Sequence, residues 1–232
     1  MKTVKFTLVL LGLLVLSNGV AAAEKQTVIS ALNEYGGKTV ETVFEPGDKY
    51  YGEVLKETTS LDSAGKVKKA EHFYTDRFAD QKGYYKSIAS YDNDGKVTKE
   101  EQFYTDKFAG GKGGVRSIAY YDSNEKMTAI ESFYTDKFAA EKGYYRSKAY
   151  YDGGERVTRL ESFYTEKSAD EKGYSRSMHY YDADGKMTKL ESLFTDRFAN
   201  EKGFDKIIAY YGANEETLKT EYFLNGKLIL TK

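Results

Sequence analysis

The sequence predicts an all-β protein, an extended antiparallel meander of tandem β-hairpins with short helical turns or loops between them. Three observations predict it. A unit of 30 residues recurs without insertion or deletion, beginning at Phe73, Phe103, Phe133, Phe163 and Leu193 after a degenerate copy at Val43. Fixed-period self-similarity marks an array in which each unit buries apolar surface against its neighbours. Asp-x-x-Gly turn signals recur inside the unit, flanked by Tyr, Val, Thr and Ile, as strands prefer. Third, Glu71, Glu101, Glu131, Glu161, Glu191 and Glu221 form one column. In a β-solenoid, the alternative architecture, these carboxylates would stack about 4.8 Å apart and repel. A meander adds two strands per repeat, spreads them to about 9.6 Å and is expected to set Ser or Lys between them.

In chain order, the first element is a leader. Lys2 and Lys5 precede an apolar run over residues 6–16, and Ala21-Ala22-Ala23 stands before Glu24. This pattern predicts a secretory signal peptide, residues 1–23, cleaved after Ala23. The run is shorter than the roughly 20 apolar residues that span a bilayer. The expected location is periplasmic or extracellular, with no membrane-spanning segment left after cleavage. Residues 24–42 depart from the repeat, and residues 27–32 read as a short helix before Gly36-Gly37. Residues 43–222 hold the six repeats, the first degenerate and carrying the only proline, Pro46, expected to blunt an edge. Residues 223–232 supply a closing strand or hairpin.

Within a repeat, Asp182 and Gly185 fit a type I turn followed by a left-handed glycine, closing a hairpin with a bulge. Asp92 with Gly95 and Asp62 with Gly65 repeat the signal. Asp122 with Glu125 and Asp152 with Glu155 lose the glycine, so those turns strain a non-glycine residue or change type. A three-residue loop would set Tyr181 opposite Met187, His179 opposite Lys189 and Ser177 opposite Glu191. Tyr180, Met178 and Arg176 would meet Thr188, Leu190 and Ser192 on the other face. Both faces would then mix aromatic and charged residues. Between hairpins, residues 135–143 carry a capping Thr, an early Asp and a final Lys-Gly, the signals of a short helix. An ordered loop is the alternative. Phe138 would anchor it, with Phe78, Phe108 and Phe198 in the same column and Ser168 breaking it.

Composition narrows the chemistry. There is no cysteine, so disulfides, a lipid-modified cysteine and thiolate metal sites are all excluded. Lys+Arg 35 against Asp+Glu 36 leaves a net charge of -1, interleaved along every repeat, so no basic field attracts nucleic acid. Asp182-x-Asp184-Gly185 and Asp92-x-Asp94-Gly95 look like fragments of calcium loops but lack the further ligands and bidentate Glu such loops need. They read as turn chemistry, and no metal or cofactor is expected. An active site should interrupt the repeat, and the interruptions are His72, His179, Ser168 and Gly114-Val115. None has an evident partner, and no enzyme is expected.

Tyrosine is the dominant chemical feature, with 22 residues concentrated in doublets. The candidate ligand-binding residues are Tyr84, Tyr85, Tyr120, Tyr121, Tyr144, Tyr145, Tyr150, Tyr151, Tyr180, Tyr181, Tyr210 and Tyr211. Adjacent strand residues point to opposite faces, so each doublet offers one ring to each side. Two readings stand: cross-strand packing, or an exposed aromatic ladder that stacks on sugar rings or docks a partner.

The stretch Y-Y-D-x-x-G-K-x-x-x-x-E-x-x-F over residues 180–194 resembles bacterial hairpin repeats of the MORN-variant type. Through Tyr151-Asp152 and its counterparts it also resembles the tyrosine-aspartate repeats of large secreted shell proteins. A fainter similarity is to choline-binding cell-wall modules, whose tryptophans are absent here. The resemblance covers residues 43–232 and implies a scaffold or recognition surface, with no catalytic residue to carry over. It also implies, by analogy alone, a possible immunity role. The expected function is a binding or scaffold surface for a cell-envelope or extracellular partner, a polysaccharide among the candidates. Self-association into a surface layer or fibre is the alternative.

Overall fold

The structure, a computed structural model, describes residues 25–153 and 156–232. The expected leader, its cleavage point and the Glu155 turn position lie outside those residues. One open antiparallel sheet of fifteen strands contains every described strand, in sequence order, so the meander is the architecture. Its first strands are β1 (Lys25–Ser30), β2 (Gly36–Val43), β3 (Val54–Asp62) and β4 (Val67–Tyr74). A regular alternation follows: α1 (Asp76–Lys82), β5 (Tyr84–Tyr91), β6 (Val97–Tyr104), α2 (Asp106–Lys112), β7 (Gly114–Tyr121), β8 (Met127–Tyr134), α3 (Asp136–Lys142) and β9 (Tyr144–Tyr151). It continues with β10 (Val157–Tyr164), α4 (Glu166–Lys172), β11 (Tyr174–Tyr181), β12 (Met187–Phe194), α5 (Asp196–Lys202), β13 (Lys206–Tyr211), β14 (Thr217–Leu224) and β15 (Lys227–Thr231).

The connectors are helices, each 7 residues long, because their caps are complete. Thr105 is extended, and its side chain accepts from Phe108 N–H; Asp106 occupies the first turn and Lys112 the last. Gly113, at φ 80, donates its N–H back to Ala109. Such a cap satisfies backbone donors and carbonyls that a helix end leaves free. Each helix after α1 is also tied to the one before. Thr105 N–H donates to the Gly83 carbonyl at 2.9 Å, Thr135 to Gly113 at 2.8 Å, and Thr165 to Gly143 at 2.9 Å. Gly83 combines φ 88 with a close neighbour: a Cβ there would sit 2.5 Å from the Phe108 ring. The helices thus form a row, with Phe108, Phe138 and Phe198 seated on the preceding C-cap glycines Gly83, Gly113 and Gly173 and Ser168 on Gly143.

The hairpin turns follow the sequence signal. Asp182 Oδ1 accepts from the N–H groups of Asp184 and Lys186, both at 2.9 Å, and Gly185 takes φ 76. Where the glycine is lost the turn is kept: Glu125 adopts φ 59, and Lys126 N–H still donates to Asp122 Oδ1 at 3.0 Å. The strained alternative is therefore the one realised at Glu125.

The cross-strand register corrects the expectation. Tyr181 opposes Met187, but the next pair is Tyr180 with Lys189, then His179 with Leu190, Met178 with Glu191 and Ser177 with Ser192. Thr188 is an extra residue, a bulge whose hydroxyl donates to the Tyr180 carbonyl at 3.4 Å. Thr98, Thr128 and Thr158 repeat it on Ser90, Tyr120 and Tyr150. One inserted residue moves every later side chain of the strand to the opposite face. Leu190 and Ser192 thereby change sides with Lys189 and Glu191. The Glu column is separated by the expected Lys only at Lys148; Ile118, Met178 and Ile208 stand at the other positions in place of Ser or Lys.

Two further expectations are corrected at the N-terminal end. Residues 27–32 do not form a helix: Thr27 pairs with Glu41 and Val28 with Val40, because β-branched residues in so short a run gain more from a sheet partner. Pro46 does not blunt an edge. It lies between β2 and β3, each of which has a strand on both sides. Residues 45–53 replace the helix of later repeats with turns, and there Phe44, Tyr50 and Val54 form a small core against Tyr74. At the other end Asn225 and Gly226, at φ 51 and 76, make the two-residue turn that closes β14 onto β15 as a hairpin. Among the described residues no large side chain is fully buried, and no helix is long and apolar enough to cross a membrane.

Candidate functional site: two unlike faces of one sheet

With the bulges in place, alternation along each strand sorts the repeat into two surfaces. One is charged. Across it runs a row in which Phe and a cation alternate: Phe103, Arg116, Phe133, Arg146, Phe163 and Arg176. The Arg116 guanidinium lies 5.3 Å from both Phe103 and Phe133, and Arg146 lies 4.3 Å from Phe163. The Glu column is the second row. Glu161, only 2% exposed, meets Arg176 at 2.6 Å and Arg159 at 3.1 Å. Glu71 likewise holds Lys69 at 2.7 Å and Lys86 at 2.6 Å. Glu101 is paired with Lys99 at 2.8 Å and with Arg116. Burial works against the Glu101 charge, but the hydrogen bonds from Lys99 and Arg116 outweigh it and hold its carboxyl below the usual range. Glu71, Glu101 and Glu161 are each shared between a cation on their own strand and one on a neighbour, and Glu131 takes both of its cations, Arg146 and Lys148, from β9.

The third row of this face holds Tyr120, Tyr150, Tyr180 and Tyr210, and their rings are capped by cations. Lys148 sits 4.6 Å from the Tyr120 centroid, Arg159 3.7 Å from Tyr150, Lys189 3.7 Å from Tyr180 and Lys219 5.6 Å from Tyr210. Such contacts stabilise the sheet and occupy the ring faces a ligand would need.

The opposite face is neutral. From β7 to β13 its strand positions carry no Asp, Glu, Lys or Arg. Its middle is a row of serines, Ser117, Ser132, Ser147, Ser162, Ser177 and Ser192. Tyrosines on the helix side fold over them: Tyr104 meets Ser117, and Tyr134 meets Ser147, oxygen to oxygen at 2.8 Å. The helix Phe then stacks on that tyrosine, as Phe138 does on Tyr134 at 4.6 Å and 15°. Tyr84 and Tyr144 pack edge-on against Tyr74 and Tyr134 at 5.2 and 5.4 Å in the same layer. Small residues on the floor are what let the rings lie down.

Towards the hairpin turns, the neutral face holds Ala119, Ile130, Ala149, Leu160, His179, Leu190 and Ala209 in one row. Beside them stand Tyr121, Tyr151, Tyr181 and Tyr211, alternating with Met127, Val157, Met187 and Thr217. Tyr91, opposite Val97, begins the same row. These rings are half-buried. Burial, with Glu100 beside it, pushes the Tyr121 hydroxyl up to about 12. Among the described residues no cation and no aromatic ring lies over Tyr91, Tyr121, Tyr151, Tyr181 or Tyr211.

The twelve sequence-selected tyrosines are thus not one surface. They fall into a cation-capped row, an uncapped row, and Tyr84 and Tyr144 beneath the helices. Tyr85 and Tyr145, at 48% and 47% exposed, are second bulge residues that stand out singly. Sequence reasoning missed Tyr91, because Ser90 breaks its doublet, and the helix-side row of Tyr74, Tyr104, Tyr134 and Tyr164. The recurring Tyr two residues before the start of α1 to α4 was the available signal.

The histidines do not meet. His72 Nε2 lies 2.9 Å from Glu57, whose other oxygen accepts from Thr59. Burial opposes the Glu57 charge, and its hydrogen bonds to His72 and Thr59 overcome that and lower its pKa. Glu100 nearby is raised by burial. This cluster puts charge on the N-terminal end of the otherwise neutral face. His179 sits between Leu160 and Leu190, and burial lowers its pKa.

Fold and faces define an open, single-sheet array of helix-linked hairpins. No family model matches the chain, and no curated protein matches it significantly.

Proposed function

We propose that this chain is an exported repeat protein that serves as a binding and scaffold surface for a cell-envelope or extracellular partner, and that the partner is an uncharged polysaccharide. The observation that carries this reading is the uncapped tyrosine row on a face without charges from β7 to β13. Aromatic faces beside hydroxyls suit neutral sugars, whereas an anionic polymer would call for cations that this face lacks. In this reading the protein is not an enzyme. His72 is engaged by Glu57, and His179 lies among aliphatic side chains.

The test is co-sedimentation of residues 24–232 with insoluble envelope polysaccharides, peptidoglycan included. The expected result is saturable binding that is lost on replacing Tyr121, Tyr151 and Tyr181 by Ala and largely kept on replacing Tyr120, Tyr150 and Tyr180. Equal loss from both sets, or no pelleting at all, overturns it. A second reading, self-association through sheet edges, is supported by β15, where Leu228, Ile229 and Leu230 are 53%, 50% and 45% exposed. Sedimentation velocity across a concentration series separates the two: a sharp monomer removes the second reading.

A further inference from the structure

We infer that the neutral face is a register-matched site for a linear β-1,4-linked glycan, which lies across the strands with one disaccharide per hairpin along Tyr91, Tyr121, Tyr151, Tyr181 and Tyr211. The inference rests on the polysaccharide reading above and adds the ligand's linkage, direction and period.

Selection of the row is by exclusion. The tyrosines of the charged face have their ring faces taken by Lys148, Arg159, Lys189 and Lys219. Those on the helix side lie under a stacked Phe or edge-on to another ring. Tyr85 and Tyr145 stand two repeats apart, and the bulge between them holds Val115. Among the described residues only the turn-side row is aromatic, uncapped and repeated in five successive hairpins, from β5–β6 to β13–β14; β3–β4 has Leu61 in its place.

The period follows from the pairing. Tyr121 and Tyr151 lie on β7 and β9, with β8 between them, so equivalent rings recur every second strand, about 9.6 Å apart. Sugars joined through equatorial 1,4 bonds form an extended ribbon in which each unit is turned about half a revolution from the last. The same sugar face therefore returns with every disaccharide, whose length is close to this spacing. An α-1,4-linked chain coils and loses step with the rings. The sheet twists by roughly 20° per strand. Rotation about the glycosidic bonds lets a single chain follow that twist, which a stiff multi-chain crystal face could not do.

The chemistry of the face supports a neutral chain. Among the described residues, Tyr121 to Tyr211 stand beside Ala, Leu and Ile on strand positions that carry no cation to balance a carboxylate or sulfate on the sugar. At the other end of the row, Glu100 reaches the Tyr121 hydroxyl at 3.4 Å and makes the surroundings of Tyr91 acidic. A chain that extends that far gains a donor-hungry end rather than another apolar subsite.

The experiment is calorimetric titration of residues 24–232 with neutral β-1,4-linked gluco- and N-acetylglucosamino-oligosaccharides of two to six sugars, alongside α-1,4-linked gluco-oligosaccharides of the same lengths. The expected result is a rise in affinity of about three- to tenfold for each added disaccharide, small gains at odd lengths, and no rise in the α series. Tyr151→Ala should weaken the six-sugar ligand more than the two-sugar ligand, and Tyr150→Ala should change neither, with both variants melting as cooperatively as the parent. Equal affinity for the two linkages, or no dependence on length while insoluble polysaccharide still pellets the protein, overturns the register and leaves the polysaccharide reading standing. Failure of every oligosaccharide and every insoluble polymer overturns both.

Discussion

The two faces of this sheet are made by the same backbone and the same repeat, yet they solve opposite problems. On the charged face, apolar rings are kept in water by laying cations over them, and each buried carboxylate is shared by two cations. On the neutral face, rings are laid over serine and alanine, and Tyr74, Tyr104 and Tyr134 are roofed by helix phenylalanines. The difference teaches that ring exposure in a single-layer sheet is decided by what occupies the ring face, not by how far the side chain projects. Tyr180 and Tyr181 are neighbours in sequence, and only Tyr180 carries a cation on its ring.

The most severe way to break the contrast is to remove a bulge. Deleting Thr188 should carry Leu190 and Ser192 to the charged face and push Lys189 and Glu191 into the neutral one. The expected loss is at least about 3 kcal/mol in urea unfolding, as for charges deprived of their partners. A loss below about 1 kcal/mol would mean that the bulge does not sort the faces. Next comes Glu161→Ala, which leaves Arg159 and Arg176 side by side. Because both guanidiniums are partly solvated, the expected cost is about 2 kcal/mol, and more than for Glu221→Ala, whose side chain is more exposed.

Ser168→Phe sharpens the neutral face instead. It restores the ring missing over Tyr164, where Lys172 now stands 4.4 Å from the centroid, and should raise stability by about 1 kcal/mol. A fall would show that Ser168, packed against Gly143, leaves no room for the ring. The smallest effect belongs to His179. Its folded pKa is lowered by burial, so the unfolded chain takes up the proton first. Stability should decline as pH drops below about 6.5, and His179→Ala should flatten that part of the melting profile. An unchanged slope would mean that the imidazole is hydrated in the folded state.

Much of the fold was legible in the sequence because its signals are local. The 30-residue period, the Asp turns, and the Thr and Gly caps of residues 135–143 act over a few positions and were read correctly. The Glu column was read as an argument for the meander, and the sheet has that order. What escaped was the identity of the faces. Alternation counted from Tyr181 assigns Lys189 and Glu191 to the neutral side. The bulge at Thr188 reverses this, and its only trace in the sequence is an unremarkable Thr two residues past the turn lysine. Residues 27–32 escaped for a different reason: their partner strand lies beyond any local window. The candidate site was legible as a residue type and not as a surface, since capping by Arg159 or Lys189 depends on that hidden register.

The threonine that opens each helix has a consequence for how the molecule comes apart. Thr105, Thr135, Thr165 and Thr195 each hang from the glycine that ends the previous helix. The linkers therefore act as a zip fastener laid along one margin of the sheet, every tooth engaging only the tooth before it. Tension applied at one end would release repeats singly and in order, with a force peak for each tooth, rather than tear the sheet at once. The tooth at α4 has a serine where its neighbours have phenylalanine, so its peak should be the lowest of the series.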